Sequence, residues 1–193
     1  MANLHFVTDR LATGGDLPYD GDEALGDIRE WQRLGITHVV DNRIEWNDAE
    51  LVAEWAPEIR YLHNGVDDAG QRIPDSWFDR GVDFVLDALD DTTAKVLVHC
   101  HMGINRGPSL AYAALLALGF EAIDGLEAIR SVRPIAGLGY AEDALDWYHR
   151  WHNDPAERRR SDRHNMRVWR RKNAIDVVRI IRSIRADEGC SAN

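Results

Sequence analysis

The chain has 193 residues and a formal net charge of −10, with 45% hydrophobic and 29% charged side chains, a composition that excludes both a disordered chain and a disulfide scaffold. Residues 1–150 carry 12 basic against 27 acidic side chains, which argues against a body that tracks nucleic-acid phosphates, whereas residues 151–193 carry 11 basic against 6 acidic ones. Two cysteines, Cys100 and Cys190, no apolar leader and no run near the roughly 18 residues of a membrane span predict a reducing, cytoplasmic setting.

An extended segment, Leu4 to Val7, opens the chain, and the Gly/Asp/Pro-rich stretch Gly14 to Asp22 reads as turn and loop. A helix capped by Asp22 is expected to run to Leu34, with Leu25, Ile28, Trp31 and Leu34 at spacings of three and Gly35 as its stop. The β-branched run Ile36 to Val40 then reads as a strand. A helix over Asp48 to Trp55 ends at Pro57, and Ile59 to His63 reads as the next strand. After a loop, Asn64 to Pro74, the spacing predicts a helix over Asp75 to Leu89. Val96-Leu97-Val98, apolar throughout, has the character of a strand buried on both faces.

Helices follow over Gly107 to Leu118, Ala122 to Val132 and Ala141 to Trp151, and Val177, Val178, Ile181 and Ile184 recur at helical spacing in the basic tail. This alternation predicts an α/β fold: a central, mainly parallel sheet of four to five strands flanked by helices. The expected division is a domain over 1–152 and an Arg-rich helical C-terminal extension over 153–193.

The chemistry concentrates in His99-Cys100-His101-Met102-Gly103-Ile104-Asn105-Arg106-Gly107-Pro108-Ser109. The cysteine leaves an apolar strand, a glycine sits where the backbone must bend, and the arginine opens a helix with Pro108 in its first turn, where a missing N–H costs little. A loop of this kind turns successive N–H groups inward and places a helix N-terminus beneath them, which suits a tetrahedral dianion. Met102, Gly103, Ile104 and Asn105, with His101, are the candidate phosphate-binding residues, and Arg106 is positioned to clamp two phosphate oxygens in a way lysine cannot imitate. The same field is expected to favour the Cys100 thiolate.

His99-Cys100, five residues, then Arg106 resembles the signature of the cysteine-dependent protein tyrosine phosphatase superfamily, and the chain length and short loops resemble its dual-specificity branch. The resemblance spans roughly residues 4 to 152 in element order. It implies a phosphocysteine intermediate on Cys100, no metal and no cofactor, and hydrolysis of phosphotyrosine and of phosphoserine or phosphothreonine in a phosphoprotein or other phosphomonoester. It also implies an aspartate upstream that protonates the leaving oxygen. Asp67 and Asp68 both fit the spacing, and the family's register favours Asp68. As the family uses it, His99 supports the loop without reacting.

Two departures stand out. The family usually places Ser or Thr after the arginine, where its hydroxyl helps the thiolate leave. Here that residue is Gly107, so slow breakdown of the phosphoenzyme is expected, and Gly107→Ser is expected to speed it. Second, His101 and Asn105 make the loop look like that of RNA 5′-triphosphatase members. An RNA 5′-phosphatase and a catalytically weak phosphate-binding module are therefore the alternatives. The run Arg158, Arg159, Arg160, Arg163, Arg167, Arg170 and Arg171 is expected to be a solvated helix face or to dock on the protein's own acidic front, with contact to an acidic partner or to nucleic acid, the latter through this tail alone, as the competing reading. Cys190 reads as an idle tail thiol.

Overall fold

In the computed structural model, residues 2–191 are described, with side chains described as far as residue 186; Cys190 lies outside the described side chains. The elements in chain order are β1 (Leu4–Phe6), β2 (Leu11–Gly14), α1 (Gly21–Leu34), β3 (His38–Asp41), α2 (Ala49–Trp55), β4 (Arg60–His63), α3 (Asp75–Leu89) and β5 (Val96–His99). They continue with α4 (Arg106–Ala117), α5 (Ala122–Val132), α6 (Ala141–Trp151), α7 (Ala156–Lys172) and α8 (Val177–Ser191).

One sheet of five strands, in the order β1-β2-β5-β3-β4, organises the chain. β2, β5, β3 and β4 run parallel, and β1 pairs antiparallel with β2 at the edge. β2 is the strand that local pattern does not announce: Leu11-Ala12-Thr13-Gly14 is short and ends on glycine, and its place is fixed by parallel pairing with β5 across more than eighty residues of sequence.

The sheet is apolar on both faces because successive side chains alternate sides. Val40, Val96 and Val98 join one cluster with Phe78, Leu110, Leu115 and Trp147. Val39 and Leu97 join the other with Ile28, Trp31 and Val52. Each such large apolar side chain contributes about 1.5–3 kcal/mol when taken fully out of water. α1 illustrates how the sequence sets a boundary. Its cap is Asp20 and not Asp22, because the Asp20 side chain accepts from the N–H groups of Asp22 and Glu23, 3.0 Å each. Such a cap is worth about 1 kcal/mol.

α4 is the central helix, buried from Arg106 to Leu116 between the sheet and α3, α5 and α6. β5, the middle strand, feeds straight into it through residues 100–105, so the loop hangs at the carboxyl end of a buried strand and at the amino end of a buried helix. α7 rests on α5 and α6, where Met166 and Trp169 enter the larger apolar cluster. The basic tail is thus two helices, separated at Asn173–Asp176. No helix among the described residues is long and apolar enough to cross a membrane.

Candidate active site

The loop after β5 is held from outside. Asp16 N–H donates to His101 O at 2.9 Å, Arg133 donates to Met102 O at 2.9 Å and to Gly103 O at 2.7 Å, and the N–H groups of Gly137 and Leu138 donate to Ile104 O at 2.8 and 3.1 Å. Four successive carbonyls are therefore turned outward. In a trans peptide the N–H points opposite to its C=O, so the N–H groups of Met102, Gly103, Ile104 and Asn105 face the other way, into the loop. That is the backbone arrangement the strand, glycine and helix order of the loop suggests.

Two glycines make this possible. Gly103 has φ +62°, and a Cβ there would stand 2.3 Å from an Arg133 nitrogen and 2.6 Å from the backbone of Gly14. At Gly107 a Cβ would lie 3.0–3.1 Å from the backbone of His99 and Cys100, so the first turn of α4 approaches the end of β5 closely enough that a side chain would be tight. Gly107 also turns its N–H to the Cys100 sulfur. The expected benefit of Gly107→Ser therefore meets a steric obstacle, since backbone would have to give by a few tenths of an ångström. Nor does Ser109 replace the missing hydroxyl: it is buried, and its Oγ accepts from Tyr140 N–H at 3.1 Å.

Cys100 is 2% exposed at the bottom of a cavity of about 230 Å³, which Asp68, Arg106, His101, Met102, Ile104 and Asn105 also line. Burial pushes its thiol up from the ordinary range, while the N–H groups of Gly107 and Gly103 and the charge of Arg106 pull it down and Asp68 opposes them. The field expected to favour the thiolate is therefore present in the loop, but burial works against it.

Arg106 is 2% exposed, and its two terminal nitrogens are taken by Glu45, at 2.7 and 2.8 Å, with Val66 O at 3.0 Å. Glu45 was not anticipated; it lies 61 residues upstream, in the loop after β3, and no local pattern links it to Arg106. The Arg106 hydrogen bond holds the Glu45 carboxyl down at about 2, so Glu45 is an anion seated where phosphate oxygens are expected. The Nε of Arg106 is buried without a hydrogen-bond acceptor, 3.7 Å from Asp68 Oδ2.

The two upstream aspartates differ in place. Asp68 Oδ1 accepts from the Tyr140 hydroxyl at 2.8 Å, and Asp68 lines the Cys100 cavity. Both residues are exposed, but Asp67 does not line that cavity, and its carbonyl accepts from the Gln71 side chain. Burial, reinforced by the Asp68 carboxylate, pushes Tyr140 up to about 12, so its hydroxyl stays a donor at neutral pH.

Behind the loop, His99 is fully buried, its Nε2 3.9 Å from Asp41; burial pulls its pKa down and the Asp41 carboxylate opposes that shift. Its carbonyl, accepting from Asn42 N–H and Nδ2, carries the support that its ring does not. Asp41, Asp48 and His99 come together as a metal site would, but the Arg43 guanidinium sits on both carboxylates and fills the position a cation would take. At the rim, His101 Nδ1 meets Asp16 at 2.7 Å and its ring packs edge-on against Trp46.

The family model for the dual specificity phosphatase catalytic domain matches residues 21–139, which include Glu45, Asp68 and the whole Cys100 to Arg106 loop. The chain belongs to the dual specificity phosphatase family. Dual specificity protein phosphatase 26 of Homo sapiens is 32% identical over 122 residues, 62% of this chain and 56% of that protein, and its Mus musculus counterpart matches to the same extent. The alignment thus spans little more than half the length of these curated relatives. In fold, the chain resembles the crystal structure of human DUSP28 (TM-score 0.63, 18% identity, 79% of this chain and 97% of that one). It likewise resembles a mouse putative dual specificity phosphatase (TM-score 0.63, 21% identity, 77% and 88%).

The arginines of α7 lie beyond the dual specificity phosphatase match, and several of them are turned on the protein itself. Arg163 pairs with Asp146 at 2.7 Å, Arg167 with Glu142 at 3.2 Å and Arg158 with Glu121 at 3.4 Å, while Arg170 donates to Leu138 O. This is the docking onto the acidic front that the charge asymmetry suggests.

Proposed function

We propose that the chain is a phosphatase that hydrolyses phosphomonoesters, phosphotyrosine first and phosphoserine or phosphothreonine second, through a phosphocysteine on Cys100. The observation that carries the reading is the loop itself: four outward carbonyls leave four N–H groups converging above a buried sulfur, with a buried arginine and a carboxyl on the same cavity. Three equatorial phosphate oxygens need such donors most as the phosphoryl group passes between sulfur and oxygen.

The steps follow from the placement. The substrate phosphate displaces Glu45 from Arg106 and takes the unsatisfied Nε–H together with loop N–H groups of residues 102–105. The Cys100 thiolate attacks phosphorus in line, and the bond to the leaving oxygen breaks. Asp68, oriented by the Tyr140 hydroxyl, gives that oxygen a proton. Asp68, now ionised, takes a proton from water, which attacks the phosphocysteine and returns the thiolate and inorganic phosphate. No step requires a metal or cofactor. Residues 1–152 make up the catalytic unit in this reading, with 153–193 docked on it, and a cytoplasmic, reducing compartment keeps Cys100 competent.

Hydrolysis of p-nitrophenyl phosphate tests the reading. Cys100→Ser is expected to abolish turnover, and Asp68→Asn to lower kcat by about 10²–10⁴-fold while Asp67→Asn stays near wild type. Turnover that survives Cys100→Ser refutes the nucleophile, and equal effects at the two aspartates refute the choice of acid.

A further inference from the structure

α8 lies outside the dual specificity phosphatase match, yet it reaches the mouth of the Cys100 cavity. Val177, Ile181 and Arg185 recur every four residues and so form one stripe along the helix. Val177 abuts the Gly137 turn, its Cγ2 within 3.2 Å of where a Gly137 Cβ would be, and Gly137 is the residue that holds Ile104 O. Ile181 and Arg185 then line the cavity together with Glu45 and His101. Arg185 is exposed while Cys100 and Arg106 are buried, so the two cations of the cavity stand at different depths, Arg106 at the floor and Arg185 at the rim.

Their engagement differs as well. Among the described residues Arg106 already carries Glu45, whereas no ion pair or hydrogen bond occupies Arg185. Residues 1–150 carry 12 basic against 27 acidic side chains, so a substrate with a second negative group near its phosphate meets an unfavourable overall field except where a local cation offsets it.

We propose that Arg185 is a substrate-binding residue: α8 forms one wall of the active site, and Arg185 pairs with an acidic side chain flanking the phosphorylated residue of a phosphopeptide. Ile181, half-buried one turn before it, packs against the apolar part of the same peptide. The preferred substrate is therefore an acidic phosphopeptide, even though the chain as a whole is an anion. This assignment rests on the phosphatase reading of the same site and adds its selectivity.

The experiment compares two phosphotyrosine peptides of equal length, one with Asp and one with Asn on both sides of the phosphotyrosine. With the full chain, kcat/KM is expected to favour the Asp peptide. Arg185→Ala is expected to lower that preference about five-fold through KM, and Arg185→Glu to invert it; raising the salt to about 0.5 M removes most of the wild-type preference, as befits an exposed pair. A preference unchanged in Arg185→Ala overturns the proposal. So does a rise in kcat/KM by one common factor for both peptides, which would make α8 a cover over the site and not a wall of it. Peptide binding to Cys100→Ser, with and without Arg185→Glu, reads the same contact without turnover. Loss of Asp-peptide selectivity there supports Arg185 even if the wild type hydrolyses neither peptide, a result that would refute the phosphatase reading alone.

Discussion

Two populations of arginine divide this molecule. Arg43, Arg106 and Arg133, all from the acidic front, are at most 2% exposed, and each meets several acceptors at once. Arg43 serves Asp41, Asp48 and Asp16, Arg106 serves Glu45 and Val66 O, and Arg133 serves two loop carbonyls together with Asn3 and His5. The α7 arginines are the more numerous and the more conspicuous in sequence, yet Arg158, Arg163 and Arg167 have side chains 37%, 41% and 65% exposed; Arg163 and Arg167 each meet one carboxylate, and Arg158 meets three at 3.4–3.7 Å. A buried guanidinium must have its donors met or the fold loses the cost of its desolvation, so it fixes geometry; an exposed one trades water for a carboxylate at little gain. Charge totals by region therefore point away from the arginines that build the site.

The sharpest way to break this contrast is to remove a buried partner. Asp41→Asn leaves Arg43 without the carboxylate that accepts from two of its guanidinium nitrogens and is expected to cost about 3–5 kcal/mol in urea unfolding; a loss below about 1 kcal/mol would place the buried arginines with the exposed ones. The same pair sets a pH dependence. Against the cost of burial, His99, Arg43 and the Tyr61 hydroxyl hold Asp41 at about 2, below the ordinary 3.8. A carboxyl whose folded value is depressed stabilises fully above its unfolded value and loses that contribution as pH falls, here between about 4 and about 2. Wild type is expected to lose roughly 2 kcal/mol across that window through this group. Glu45 titrates in the same range, so the comparison with Asp41→Asn isolates the Asp41 share.

Arg106→Lys comes next. It keeps the charge and removes the fork, and kcat for p-nitrophenyl phosphate is expected to fall about 10²–10³-fold. Activity retained within a few-fold would mean that charge suffices and planar geometry does not matter. The smallest effect is expected on α7: Arg163→Ala, which removes the 2.7 Å pair with Asp146, should change stability by less than about 1 kcal/mol, with most of that change gone at high salt. A larger, salt-insensitive loss would show that α7 is fastened by its charges and not by Met166 and Trp169.

Much of this was legible from sequence wherever the physics is local. The alternation of amphipathic helices with short apolar strands specified an α/β fold, and the order of strand, cysteine, glycine and arginine specified a tight loop from strand into helix, because consecutive residues control backbone curvature and helix start. The choice of Asp68 over Asp67 rested on the family's register, and the structure puts Asp68 on the cavity beside Tyr140. Tertiary structure alone decided which distant groups meet. Glu45 reaches Arg106 because the strand order sets β3 beside β5, and Arg133 reaches Met102 O and Gly103 O because α5 ends behind the loop. The room left for Gly107 follows from how closely α4 approaches β5. Such pairings depend on which surfaces burial brings into contact, and no spacing within a single segment encodes them; that is why the Cys100 to Arg106 loop could be read from the sequence, but neither the carboxylate that occupies Arg106 nor the helix that reaches the cavity mouth could.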